Sequence, residues 1–300
     1  MNIRAAKQSD KEIVLRFCTD TFEWGDYIDQ VWDRWCGDRN GVLMAAEEEL
    51  HNKQTKKRRP SVIAISHVSL CHNKKAIWLE GIRVKPNYRR KYVATELINK
   101  MIAYGKEKGA NQASAIVAYN NVTSQSMMQK NGFVMISEWS YYSTDKIPQK
   151  DDKLISRSKV AAVKDTEAVQ NYLKQSRIFR SSGERYVNSW RWYSLDLYSN
   201  TLVHLIENKK VLIAGNDCIE GVAIINQDRD GNVFQIVYLD ASNLFLTGDL
   251  LRFALNLIHS EAEIYHRIQV FSPGTTYLSA LMEQLGMDRS ERFLLYRREI

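Results

Sequence analysis

The sequence of 300 residues contains little proline and little glycine, four and fourteen residues. Disordered linkers are rich in these residue types, so their scarcity argues against long disordered segments. No uninterrupted apolar run is long enough to cross a membrane, and the first residues do not resemble the apolar region of a signal peptide. The chain is therefore expected to be globular and cytoplasmic.

Cysteine is also scarce, and its positions are uninformative for metal binding. The four cysteines are Cys18, Cys36, Cys71 and Cys218, and no two have the spacing of zinc ligands. Nothing suggests a disulfide framework, and free thiols fit a reducing compartment. No metal is expected.

Charge and length limit the class of protein, the number of domains and the kind of partner. The net charge is +7, the hydrophobic fraction is 44% and the charged fraction is 26%. These fractions are ordinary for a globular protein, and the length allows roughly two domains. The basic balance fits either a nucleic acid or a phosphate-bearing cofactor. A nucleic-acid partner rests on net charge alone and is not expected.

The first half of the sequence alternates between strand and helix patterns. Their order is β-α-α-β-β-β-α-β-α-β, which predicts a mixed α/β domain with a parallel crossover around the longest helix. A polar segment, residues 149–158, follows as a predicted linker. A similar order then begins again, with a strand predicted at Thr201–Ile206 and a helix at Gly248–His259.

The two halves also end alike. Residues 128–133 (MQKNGF) correspond to residues 282–287 (MEQLGM), each a helix end followed by glycine and an apolar residue. An internal duplication is our hypothesis. The predicted domains are residues 1–148 and 159–300, and both are of the α/β (α+β) class.

The most informative stretch is residues 78–94, in which the predicted strand Ala76–Val84 runs into a basic turn and the turn opens a helix. Amide groups at a helix N-terminus are unpaired, and the helix dipole adds positive charge there. A pyrophosphate can dock on such a terminus. Arg89, Arg90 and Lys91 supply charge beside the turn, and the small Ala94 allows close approach.

The turn carries a resemblance. Residues 89–94 (RRKYVA) fit the GNAT signature Gln/Arg-x-x-Gly-x-Gly/Ala at its first and last positions, with Tyr92 where glycine is usual. Residues 1 to 145 resemble the GNAT superfamily of N-acyltransferases, and this implies acetyl-CoA as co-substrate. The second half resembles a degenerate copy: residues 243–248 (NLFLTG) contain no basic residue, so that half is not expected to bind CoA.

The resemblance implies a set of cofactor contacts. The strand around Ile82, Arg83 and Val84 would offer backbone groups to the pantetheine arm, and Asn121 would lie near the same arm, with Ser124 as a weaker candidate. The amides that would hold the pyrophosphate follow Arg89 and belong to Arg90, Lys91, Tyr92, Val93, Ala94 and Thr95.

Acetyl transfer to an amine needs a base, and Glu80 is the best candidate. Strand alternation predicts that it shares a face with Trp78, Ile82 and Val84, where a carboxylate is costly unless used or paired. Its surroundings resemble the polyamine N-acetyltransferases, whose corresponding glutamate is the base. Pairing with an arginine is the alternative.

The usual acid of the family is less clear. Met128 occupies the position where many members have a tyrosine, and a thioether has no proton to give. The nearby tyrosines Tyr119, Tyr141 and Tyr142 are substitutes, although such residues often serve packing. His67, on an adjacent strand, could relay protons or be structural.

The substrate is expected beside the loop between the first two helices. There Asp26 could bind an ammonium group, and Trp24 and Tyr27 could wall the pocket, although such aromatics also form cores. Arg191 could meet a substrate carboxylate, unless its segment is a domain interface. The combination of Asp26 and Tyr27, Trp35, residues 80–84 (EGIRV) and a long C-terminal half resembles histidine N-acetyltransferase and its uncharacterised relatives, whose substrates are free amino acids.

The predicted function is transfer of an acetyl group from acetyl-CoA to the amine of a small molecule, an amino acid or a polyamine-like compound. Two alternatives stay open. One is a protein N-terminal or lysine acetyltransferase, and the other is a non-catalytic module that senses acetyl-CoA. The chain is expected to be a monomer or a homodimer, without a membrane partner.

Overall fold

The structure is a computed structural model. It describes residues 1–19, 21, 25–51, 58–71, 75–197, 199–258, 265–274, 278–287 and 289–300, with the side chains of residues 50, 51, 58 and 59 left aside. The chain forms two compact units. The first contains Met1–Ile116, Val122–Val134 and Tyr296–Ile300, and the second contains Val117–Asn121 and Met135–Leu295.

The first unit is a sheet covered by helices. Its strands lie in the order of the chain, with antiparallel neighbours except for the last pair, which is parallel. The strands lying wholly or mainly in this unit are β1 (Asn2–Ala5), β2 (Gly41–His51), β3 (Arg58–Cys71), β4 (Ala76–Val84) and β5 (Gln112–Ala118). Its helices are α1 (Lys11–Cys18), α2 (Ile28–Cys36), α3 (Val93–Glu107) and α4 (Val122–Lys130).

Apolar spacing decides how these helices pack. In α2 the buried residues recur at intervals of three and four, which forms one stripe: Ile28, Val31, Trp32 and Trp35. This stripe and α1 cover the sheet face that carries Leu43, Ala45 and Ile65. Helix α3 lies against Ile77 through Gly105, where a Cβ atom would come within 2.8 Å of the Ile77 side chain.

The second unit repeats the same strand order. Its strands, wholly or mainly, are β6 (Val134–Thr144), β7 (Ser158–Val160), β8 (Arg185–Asn188), β9 (Arg191–Ser194), β10 (Val211–Ala214), β11 (Gly221–Gln227), β12 (Val233–Ala241), β13 (Arg267–Pro273) and β14 (Arg289–Glu299). Its helices are α5 (Thr166–Gln175), α6 (Arg177–Ser181), α7 (Asn200–Glu207), α8 (Leu244–Leu257) and α9 (Ser279–Gln284).

The succession β7-β10-β11-β12-β13 has antiparallel neighbours and a final parallel pair, as β1-β2-β3-β4-β5 does. In both units one long helix, α3 or α8, connects the two strands of the parallel pair. The predicted mixed α/β class, with a second domain of the same type, is therefore confirmed.

Strands are exchanged between the halves of the sequence. β6 follows α4 in the chain, yet within the second unit it lies between β14 and β13 and pairs antiparallel with β13. The last residues of β14 belong to the first unit, where the Ile300 amide donates to the Asn111 carbonyl at 2.9 Å. These units are defined by packing; the division of the sequence at residues 148–159 stays a prediction.

One local prediction was wrong. Thr201–Ile206 is not a strand but lies in α7. The Ser199 hydroxyl accepts a hydrogen bond from the Thr201 amide at 3.2 Å, which caps the helix, and Leu202, Leu205 and Ile206 form a buried helical stripe. Among the helices that the structure describes, none is long and apolar enough to span a membrane.

Candidate active site

The basic turn keeps its expected shape despite the missing glycine. Tyr92 has φ 61° and ψ 8°, the left-handed conformation that glycine adopts freely, and Arg90 has φ 58°. The Tyr92 side chain is 79% exposed, so it points away from the packed turn. The left-handed conformation costs a residue with a Cβ atom about 1 kcal/mol.

The N-terminus of α3 is open to an anion. Tyr92 precedes the helix and provides no side-chain cap, and the first intrahelical bond runs from the Glu96 amide to the Tyr92 carbonyl at 3.0 Å. The amides of the first turn therefore lack intrahelical acceptors. Arg89 is anchored beside them, because its Nε donates to the Val84 carbonyl at 3.1 Å.

A β-bulge in β4 changes which residues share a face. His67 pairs with Glu80 and Ile65 pairs with Arg83, so two residues of β4 stand opposite one of β3. Gly81 accommodates the bulge with φ 66°. Glu80 therefore shares its face with Trp78 and Arg83. The expectation that Ile82 and Val84 lie on that face is wrong, because the extra residue reverses the alternation.

Glu80 faces a buried histidine. Its Oε1 atom lies 2.8 Å from Nδ1 of His67, and its side chain is 17% exposed. On the other side of the ring, Nε2 lies 3.3 Å from Oδ2 of Asp38. The His67 ring is fully buried and stacks on Trp35, with centroids 4.7 Å apart and planes inclined by 3°.

Asp38 is held by several donors. Its Oδ2 accepts a hydrogen bond from the Ser69 hydroxyl at 2.9 Å, and its Oδ1 accepts one from the Asn40 amide at 2.9 Å. The interaction with His67, followed by these two bonds, holds the pKa of the Asp38 carboxyl well below its usual value. Asp38 is therefore an anion at neutral pH.

Gly81 fixes the histidine indirectly. A Cβ atom at this position would come within 2.3 Å of the Trp35 ring, so glycine leaves the space in which Trp35 stacks on His67. A glycine inside a strand pattern is a known signal for a bulge or a close approach. It is the one sequence signal that would have located this cluster.

Asp26 has a partner that sequence reasoning missed. Arg83 grips it with two hydrogen bonds, Nε to Oδ2 at 2.6 Å and Nη2 to Oδ1 at 3.0 Å. The Arg83 guanidinium carbon also lies 5.1 Å from the centre of the Tyr27 ring. Burial raises the pKa of Tyr27. This ion pair fixes the start of α2 against β4, because Asp26 also accepts from the Ile28 amide.

The remaining predicted residues lie in different places. Ser124 is in the first turn of α4, in the first unit, and Met128 of the same helix is buried. Asn121 and Arg191 belong to the second unit, where Arg191 is buried in β9. Trp24 lies outside the described residues.

The three candidate tyrosines also belong to the second unit. Burial raises the pKa of Tyr141 and of Tyr142, so both stay protonated at neutral pH, whereas Tyr119 is half-exposed beneath the Arg292 guanidinium. Within the described ranges, no group of three His, Cys, Asp or Glu side chains is arranged to hold a metal ion.

Comparison with known proteins agrees with the geometry. Residues 11–133 match the sequence model of the acetyltransferase (GNAT) family. Aminoglycoside N(6')-acetyltransferase type 1 of Salmonella typhimurium is 33% identical over 67 residues, which are 22% of this chain and 46% of that enzyme. The match thus spans about half the length of that curated relative.

Two solved structures resemble the whole chain. A GCN5-related N-acetyltransferase from Sphaerobacter thermophilus has a TM-score of 0.59 at 13% identity, over 99% of this chain and 95% of its own. A tandem GNAT protein from the clavulanic acid biosynthesis pathway has a TM-score of 0.51 at 11% identity, over 99% and 98%. The chain has the tandem GNAT fold, and its residues 11–133 match the GNAT acetyltransferase family.

Proposed function

We propose that the protein transfers an acetyl group from acetyl-CoA to the amine of a small molecule. The observation that carries this proposal is the uncapped start of α3 beside Arg89, Arg90 and Lys91. Amides of residues 90–95 would hold the pyrophosphate, and the dipole of α3 would stabilise its charge. Backbone groups of Ile82, Arg83 and Val84 would bind the pantetheine arm.

Glu80 is the proposed base. As the amine nitrogen forms its bond to the acetyl carbon and the carbon–sulfur bond breaks, the surplus proton of the nitrogen passes to the carboxylate. Glu80 is partly exposed and lies on β4, two residues before the backbone groups proposed for the pantetheine arm. Met128 cannot return a proton to the departing thiolate, because it is a buried thioether.

The acceptor is proposed as a class. Asp26 and Tyr27, held by Arg83, would form part of its pocket together with Trp24, while Arg191 stays a candidate for a substrate carboxylate. The aminoglycoside acetyltransferase among the relatives makes kanamycin the first acceptor to test, beside spermidine and free amino acids. Amines of this kind fit the earlier expectation of a small-molecule acceptor.

The test follows release of free CoA with a thiol-reactive dye while these amines are supplied with acetyl-CoA. We expect turnover with at least one amine and a 100-fold or greater fall in kcat for Glu80→Gln, the usual size of a base contribution. Glu47→Gln is the matched control, because Glu47 is a carboxylate of the same unit that pairs with Arg4.

Two results would contradict the proposal. Stabilisation of the protein by acetyl-CoA with no turnover on any amine, and no effect of Glu80→Gln, would favour the sensing module. No stabilisation by acetyl-CoA would remove CoA binding itself.

A further inference from the structure

The second unit contains a cavity that the proposed acetyl transfer does not involve. It has a volume of about 340 Å³ and lies between the residues that follow β5, strand β6 and the start of β14. Each described residue that lines it belongs to this unit. The volume is at the lower end of the range for small-molecule sites, so it suits one ring or a short chain and not a whole coenzyme.

The floor of the cavity is polar although it is buried. Ser140 and Tyr142 lie two residues apart on β6, line the cavity, and are only 2% and 5% exposed. The Ser140 hydroxyl donates to the Gly274 carbonyl at 2.8 Å and also interacts with the Tyr142 hydroxyl. Because a hydroxyl oxygen has two lone pairs, both groups can still accept a hydrogen bond from a ligand.

Glu291 gives the rim of the cavity a negative charge. Burial raises the pKa of its carboxyl, and within the described ranges no hydrogen-bond donor or cation offsets this effect. The neighbouring Arg292 does not neutralise it, because its guanidinium donates to Glu138 and stacks 3.8 Å from the centre of the Tyr119 ring. The carboxylate therefore lacks a counter-ion in the part of the chain that the structure describes.

These groups together define the chemistry of a suitable ligand. An ammonium group donates charge-assisted hydrogen bonds to a carboxylate and compensates for its loss of hydration. Hydroxyl groups of a ligand can donate to the floor and can accept from Ser279 and Ser290, which also line the cavity. An anionic ligand would be repelled by Glu291.

We propose that this cavity binds a small hydroxylated amine, such as an amino sugar, with its ammonium group on Glu291 and its hydroxyls on Ser140 and Tyr142. The inference gives a ligand to the unit that is not expected to bind CoA. Acetyl transfer is not a premise of it, so the two proposals can fail independently.

The closing experiment compares glucosamine with glucose, which differ by the amino group. Full-length protein with 13C-labelled tyrosine rings is titrated with each sugar, and the Tyr119 and Tyr142 signals are assigned by their loss in Tyr119→Phe and Tyr142→Phe. We expect glucosamine to shift both signals in a saturable way and glucose to bind at least tenfold more weakly. Absence of saturable shifts with glucosamine, or equal binding of glucose, would overturn the proposal.

The Glu291→Gln variant tests the charge while preserving the shape of the side chain. Its dissociation constant for glucosamine should rise about tenfold, because a charge-assisted hydrogen bond becomes a neutral one. Glu283→Gln is the matched control, since Glu283 is an exposed carboxylate on α9 that does not line the cavity. An unchanged constant in a folded Glu291→Gln variant would contradict the site, as would an equal rise in Glu283→Gln.

Discussion

The two helices that cross over between the parallel strands of each unit begin differently. α3 starts after Tyr92, which is left-handed and offers no cap, next to three basic residues. α8 starts after Asn243, which is extended and whose Oδ1 accepts a hydrogen bond from the Leu246 amide at 3.0 Å. The start of α3 has no side-chain cap, whereas the start of α8 has one within the chain.

This difference teaches that the fold alone does not make an anion site. Both units have the same strand order and the same crossover helix, so the strands cannot explain why one helix start is capped by a side chain and the other is not. At the second start the Asn243 side chain caps the helix, and the turn itself, residues 243–248, contains no basic residue. The four predictions below test this contrast, from the largest expected effect to the smallest.

Reversing the charge of the turn before α3 should weaken the binding of acetyl-CoA. In the double variant Arg89→Glu, Arg90→Glu we expect acetyl-CoA affinity to fall roughly 100-fold, because two charge-assisted contacts are replaced by repulsion. Isothermal titration calorimetry measures the change. Arg252→Glu on the exposed side of α8 is the control, and an equal loss there would show that net charge, not the turn, controls binding.

Carboxylates of the two units should respond oppositely to pH. Hydrogen bonding lowers the pKa of Asp38, so its contribution to stability is present above its unfolded pKa near 3.8 and is lost as pH falls through the lower folded value. Burial raises the pKa of Asp240 in the second unit despite three hydroxyl donors. Its contribution is present below 3.8 and is lost as pH rises through the folded value.

Urea unfolding of Asp38→Asn and Asp240→Asn between pH 3 and pH 7 separates these signs. Relative to wild type, Asp38→Asn should flatten the loss of stability on acidification. Asp240→Asn should flatten the opposite slope. Parallel shifts of both variants at every pH would mean that neither carboxylate is linked to folding in this way.

Removing the cap of α8 should cost stability but not binding. Asn243→Ala is expected to lower the free energy of unfolding by about 1 kcal/mol, the usual contribution of an asparagine cap. Thermal unfolding measures this loss, and calorimetry should give an unchanged affinity for acetyl-CoA. A gain of CoA binding sites in this variant would contradict the expectation that the second unit does not bind CoA.

Tyr92→Gly should produce the smallest effect. Glycine removes the steric cost of the left-handed residue but adds flexibility to the unfolded chain, so we expect a gain of about 0.5 kcal/mol. Lys91→Gly is the matched control, because Lys91 is an exposed neighbour without a positive φ, and it should lose stability. A loss of stability in Tyr92→Gly would show that the tyrosine is favourable in its turn.

The sequence predicted what depends on local pattern. Helix α3, the basic turn before it and the succession of strands in the first unit follow from apolar spacing and from residues close together in the chain. Thr201–Ile206 was misjudged because its β-branched and apolar residues suit a strand, whereas the Ser199 cap and the buried stripe of α7 decide for a helix.

The cluster at His67 could not be predicted from patterns of this kind. It joins Asp38, His67 and Glu80, which are far apart in the chain, through a register that shifts by one residue at the bulge. The Asp26–Arg83 pair spans 57 positions and depends on the same register. Only Gly81 gives a local signal of the bulge. The predicted alternation of strand faces ignores that signal and continues through Gly81 without a shift.

The exchanged strands make the two halves of the sequence inseparable. Cutting the chain in the segment 149–158 would leave the second unit without β6 and the first without Tyr296–Ile300 beside β5. The half without a basic turn therefore cannot be deleted without affecting the first unit, even though its helix start is capped. The second half is needed for the first unit even if it catalyses nothing, because the last residues of the chain, Tyr296–Ile300, complete the unit that carries Glu80.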